Sequence, residues 1–170
     1  MASGRNHDQA TVTWSLPVAL TASLWLGWCA GALTGLAFLL GGLWLSPDLD
    51  VRSRALQRWG ALRWIWWPYR RLVPHRSLLS HGPLIGTTLR LTWVLGLLLL
   101  GWFALALLLG QAVTDPGEAW PDVLKLLKQH RTALIGVLIG LEGSVWLHLI
   151  LDGDPLPIEC SKRWRRRRRR

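Results

Sequence analysis

The chain has little of what usually staples or loads a small protein through sulfur: two cysteines in 170 residues, Cys29 and Cys160. Cys29 sits in an apolar run and Cys160 in a charged tail, so neither a disulfide framework nor a cysteine-type zinc finger is expected. Acidic residues are also scarce, ten against twenty Lys and Arg, for a formal net charge of +10. Lys162, Arg163 and the six arginines from 165 to 170 account for eight of those charges, so the basicity is a tail and one loop rather than a nucleic-acid groove. Charge of either sign is nearly absent from three long stretches, which argues against disorder and repeat arrays. What fills the chain instead is apolar: 51% hydrophobic residues, with thirteen Trp. That composition points to a membrane protein.

The first apolar stretch, residues 15–45, is uncharged and much longer than the ~20 residues a perpendicular helix needs. Glycines 27, 31, 35, 41 and 42 interrupt it, so a hairpin of two short helices turning near Gly31 competes with one long tilted helix. Residues 91–110 form a clean span, and residues 132–151 a second, with Glu142 near its middle. The expected fold is therefore all-α and polytopic, with about four membrane helices if the first stretch is a hairpin. A membrane and metal-binding domain would cover residues 1–160 and a polybasic tail residues 161–170. The 46–90 segment holds eight arginines against Asp48 and Asp50, while residues 111–131 balance three acids with three bases. The positive-inside rule then puts the first segment, the tail and, with the hairpin, both termini in the cytoplasm. Residues 119–130 read as a short amphipathic helix started by Pro121 and lying on the outer surface.

A plain anchor has no need of acids and histidines at the cytoplasmic ends of its spans. This chain has four such clusters: His7 and Asp8; Asp48 and Asp50; His75 and His81; His148 and Asp152. His148 and Asp152 are four apart on a helix, so both project from one face. Asp48 and Asp50 follow Pro47, where an extended or turn backbone sends both carboxylates to one side. His75 and His81 bracket serines whose hydroxyls can orient imidazoles. Imidazole with carboxylate suits zinc, manganese or iron, and His7, Asp48, Asp50, His75, His81, His148 and Asp152 outnumber one tetrahedral shell. Two ions sharing a carboxylate are therefore expected to fit better than one. A lone interfacial His is more often a satisfied surface group than a ligand; the coincidence of four clusters on one face carries the metal reading. Glu142 divides evenly between a hydrogen-bonded group near Ser144 and a role near the metal.

Ser3-Gly-Arg-Asn-His-Asp8, Ser46-Pro-Asp-Leu-Asp50, Trp59-Gly-Ala-Leu-Arg-Trp-Ile-Trp66, Pro68-Tyr-Arg70 and His75-Arg-Ser-Leu-Leu-Ser-His-Gly82 resemble the signature of a bacterial family of uncharacterised metal-binding membrane proteins. More distantly the chain resembles the LexA-regulated membrane-bound metal-dependent hydrolases, although Ser80-His81 stands where those usually have His-Ser. The resemblance implies metal binding and, more weakly, hydrolysis. A hydrolase at the cytoplasmic face of the inner membrane would use zinc or manganese, in one or two copies, on a phosphoester, and by position Asp8 is the expected base and Arg76 the expected holder of developing negative charge. The alternative is a non-catalytic membrane scaffold with a structural metal, docked in a membrane complex. A transporter is the third class, kept only for Glu142. The Arg- and Trp-rich stretch 52–71 is expected to lie flat against lipid headgroups, anionic ones included, in preference to stacking nucleic acid.

Overall fold

The computed structural model describes residues 3–110 and 116–153, with the side chains of 116–118 left aside. The polybasic tail expected at 161–170 lies outside the described residues. Among the described residues all regular structure is helical, with no strand. In chain order the helices are α1 (Gly4–Leu26), α2 (Trp28–Leu43), α3 (Arg54–Arg58), α4 (Trp67–Leu72), α5 (Leu78–His81), α6 (Ile85–Leu108), α7 (Pro116–Gln129) and α8 (Arg131–Leu151), with 3-10 turns at Pro47–Asp50 and Gly60–Trp66. Three segments are long and apolar enough to cross a membrane: Trp28–Asp50, Ile85–Leu108 and Arg131–Leu151. The first helix, α1, is not among them.

The 15–45 stretch is a hairpin, but its break is at Gly27 rather than Gly31. Gly27 takes φ +82°, a left-handed conformation that a side chain disfavours, and serves as both the end of α1 and the start of α2. Gly31 instead permits close packing, since a methyl there would run into the backbone of Ser23 on α1, and one at Gly35 would overlap Ala19. These glycines bring the two antiparallel helices into close contact, as small residues do between apolar helices. The other face of α2 meets α8 in the same way. A methyl on Gly140 would collide with the Thr34 carbonyl, and one on Gly136 with the Thr34 hydroxyl and the Ala30 carbonyl. Residue numbers rise together along the α2–α8 contact and in opposite senses along α1–α2. The start of α1, the end of α2 and the end of α8 therefore gather at one end of a three-helix unit.

The segment after α2 folds into its own small core instead of lying flat. Ser46, Ser53 and Ser77 start its short helices, their hydroxyls accepting from the backbone N–H of Asp48, Leu56 and Ser80. Leu49, Ala55, Leu56, Trp66, Tyr69 and Val73 are buried together, with Trp66 edge-on to both Trp59 and Tyr69. The expectation of a flat layer fails for Trp66, which is 0% exposed, whereas Trp64 is 69% and Trp67 59% exposed. Arg58 donates to the Leu43 carbonyl at 3.0 Å and the Trp59 indole donates to that of Trp44 at 3.0 Å, tying this core to the open end of α2. The amphipathic helix begins at Pro116, with Pro121 inside it rather than at its start.

Candidate metal centre

The end where α1, α2 and α8 meet is where the polar clusters converge. His7 stands in the first turns of α1, ahead of the charge-free run, on a helix started by the Ser3 hydroxyl. His148 and Asp152 come from the last turn and C-cap of α8. His7 Nε2 lies 3.2 Å from Asp152 Oδ1, and the His7 ring stacks on His148 with centroids 4.1 Å apart. His7, His148 and Asp152 each offer one ligand atom within 4.8 Å of the others.

A second triad, Asp48, His75 and His81, meets the same 4.8 Å criterion. Asp48 sits in the 3-10 turn that Pro47 opens, His81 ends α5, and His75 occupies the link from α4 to α5. The two triads are neighbours through one atom. Asp48 Oδ1 is 3.6 Å from His81 Nε2 and 3.6 Å from His148 Nε2. The Asp48 carboxylate thus stands between one imidazole of each triad.

The donors are of the right kind, and three of their nitrogens are unspent. His7 Nδ1, His81 Nε2 and His148 Nε2 are buried and have no hydrogen-bond partner. Leaving several such nitrogens unpartnered in one pocket is costly, and a divalent cation would satisfy them. Burial, and next the neighbouring His148 ring, hold the His7 imidazole below its usual range against the upward pull of Asp152. Its ring is therefore neutral and available as a ligand near pH 7.

Supporting groups fix the rings. The Ser80 hydroxyl is 2.8 Å from His81 Nδ1, which leaves Nε2 for the site. Asp50 lies 3.0 and 3.1 Å from His75 Nδ1 through its two oxygens and 3.8 Å from His81 Nδ1. The structure thus sets Asp50 behind the imidazoles, as an outer carboxylate, and places it in neither triad. Arg76, in a left-handed conformation at φ 60°, donates to Asp152 Oδ2 at 3.1 Å and so stands beside the first triad.

Asp8 is not the free carboxylate expected of a base. Its Oδ2 is clamped by Arg54 Nε at 2.7 Å and Arg58 Nη2 at 2.5 Å, because the helix that faces His7 toward the site turns the next residue toward α3. Glu142 belongs to neither triad and does not bond Ser144, whose hydroxyl donates to the Leu141 carbonyl. It accepts instead from the Leu84 N–H at 2.9 Å and the Thr87 hydroxyl at 2.6 Å, closing the start of α6. Sequence reasoning missed Arg90. It is almost wholly buried and donates to the Ser80 carbonyl at 2.6 Å, holding the turn that carries His81. The signal in the sequence was an arginine directly abutting an apolar span.

A half-open cavity of about 310 Å³ reaches the centre, lined among others by His7, Asp48, Ser46 and Arg52. Helical packing with two adjoining His and Asp triads defines a protein built to hold metal ions. The chain belongs to the family described as Uncharacterized metal-binding protein (DUF2227), which matches residues 2–165. It is also similar to an uncharacterized protein of Aquifex aeolicus (strain VF5), with 39% identity over 61 residues, 35% of this chain and 43% of that one. The match therefore spans less than half of the relative's length. No solved structure matches significantly.

Proposed function

We propose that the protein is a multi-pass bacterial inner-membrane metallohydrolase whose centre faces the cytoplasm and whose substrate is a phosphoester at the membrane interface. The observation that carries this reading is the shared position of Asp48 Oδ1, 3.6 Å from an imidazole of each triad, beside a cavity open to solvent. Catalytic metal sites keep a position open, whereas structural ones are closed by protein ligands. Three apolar helices of spanning length support the membrane placement. The site shares its end of the three-helix unit with the arginine-rich segment, which favours the cytoplasmic side, with both termini there.

His7, His148 and Asp152 would hold one cation and Asp48, His75 and His81 the other, zinc or manganese by their nitrogen and oxygen donors. When bound, such a cation supplies Lewis acidity and lowers the pKa of water. Asp48, at the cavity, would serve as the ligand shared between the triads, and the Arg54 and Arg58 clamp withholds the proton-accepting role from Asp8. Arg76 shares its charge between Asp152 and the negative charge that develops on a phosphoryl group.

The test is hydrolysis of bis(p-nitrophenyl) phosphate by detergent-purified protein supplied with zinc or manganese. Turnover is expected in the wild type and should fall to background in Asp48→Asn and His148→Ala. A metal-loaded wild type without turnover on this or on lipid phosphoesters would overturn the enzyme reading. It would favour a second one, a structural metal in a membrane scaffold, which draws support from ligands contributed by four segments far apart in sequence.

A further inference from the structure

The 52–70 segment forms a second cavity, of about 530 Å³. Its lining is Arg52, Ser53, Leu56, Gln57, Arg63, Trp64, Trp67 and Arg70, with three arginines and no acid. The other two arginines of the neighbourhood, Arg54 and Arg58, are already spent on Asp8. Arg52, Arg63 and Arg70 make no ion pair among the described residues, and the Arg70 Nε is buried without a hydrogen-bond partner. Three guanidinium groups held around one hollow repel one another, and an anion would relieve that repulsion. The exposed Trp64 and Trp67 supply flat apolar walls, and Arg71 lies over the Trp67 ring at 5.4 Å from its centroid, which holds that wall in place.

We propose that this cavity is a binding site for a phosphate group carried on a partly apolar ligand. Guanidinium forks match phosphate oxygens in pairs, Ser53 and Gln57 offer neutral donors, and the tryptophans cover what the phosphate is attached to. A phospholipid headgroup and a soluble phosphate ester present the same chemistry to it. Arg52, Ser53 and Gln57 also line the cavity at the metal centre, so one ligand can extend from the arginines to the triads. On the hydrolase reading proposed above, and resting on it, the site anchors the substrate by a phosphate; the binding of phosphate itself stands without that reading.

The test uses the full chain in detergent, first treated with chelator so that metal cannot hold the anion. Inorganic phosphate and monomeric dihexanoyl phosphatidylglycerol are titrated by calorimetry into the wild type and into Arg63→Gln and Arg70→Gln. Arg63 is exposed, so its replacement leaves the core intact even if that of Arg70 does not. Each substitution should weaken binding about tenfold, the scale of one hydrogen bond to a charged group. Phosphatidylglycerol binding tenfold tighter than phosphate assigns the site to lipid headgroups, and equal binding assigns it to soluble esters. Failure of the wild type to bind either probe, or wild-type affinity in both arginine variants, overturns the proposal. Intact binding without phosphodiesterase turnover would fault the hydrolase reading alone, whereas turnover without arginine-dependent binding would fault this site alone.

Discussion

Asp48 is the residue on which the two triads depend together, and its substitution separates a shared centre from two independent ones. Asp48→Asn keeps the size of the side chain and removes its charge. Elemental analysis of purified protein should show both ions weakened or lost in that variant, whereas His75→Ala, confined to the second triad, should cost about one ion per chain. Equal loss from both variants would argue for a single ion. Acid should strip the site, because protons compete with cations for imidazole nitrogen. Burial and the His148 ring lower the His7 pKa, so protons compete less well for this ligand than for an ordinary histidine, and its loss moves below the usual value of about 6.5. Metal retention followed from pH 7.5 downward should therefore hold near neutrality and fail in acid; release complete by pH 7 would contradict a depressed His7. At this scale the polar clusters were legible from types and spacing, since the i, i+4 pair His148 and Asp152 does share a helix face. The roles of Asp8 and Asp50 were not legible. They depend on partners brought by other segments, Arg54 and Arg58 in one case and His75 in the other, which no local spacing encodes.

Among the helices, α2 is held from both sides by contacts that admit no side chain. Gly140→Ala should destabilise the protein by about 1–3 kcal/mol, since the methyl meets the backbone of α2 rather than a side chain that can yield. Gly96→Ala and Gly101→Ala in α6, where an added methyl meets nothing within 4 Å, should be neutral or slightly stabilising. Thermal unfolding of the three variants in one detergent decides this, and equal midpoints would sink it. Glu142→Gln should lower stability by about 1–3 kcal/mol, as the carboxylate closing α6 loses one of its two acceptors, while metal content stays unchanged. Loss of metal in that variant would return Glu142 to the centre. The hairpin itself could be read from the length of the 15–45 stretch, but not its corner: a glycine that turns the chain and one that lets helices touch look alike in sequence. The same limit hid the core after α2, because Trp66 inside and Trp64 outside differ only in which way a short 3-10 turn faces them.

For the molecule as a whole, the antiparallel α1–α2 contact and the parallel α2–α8 contact fix which ends meet. In a bilayer this arrangement requires the first turns of α1 and the last turn of α8 to share a side. Reporter fusions at the two termini should both report cytoplasm; opposite sides would refute the membrane placement proposed above. The apolar runs made the helical class legible, whereas the joining of residues 145 positions apart, as in His7 with Asp152, depends on packing that only the assembled fold supplies.

That separation bears on biosynthesis. The second triad is complete once His81 has been made, but the first draws on the opening turns of α1 and the closing turn of α8. A ribosome must therefore finish almost the entire described chain before His7 can find Asp152, whereas Asp48, His75 and His81 are all present once about half of the chain has been made.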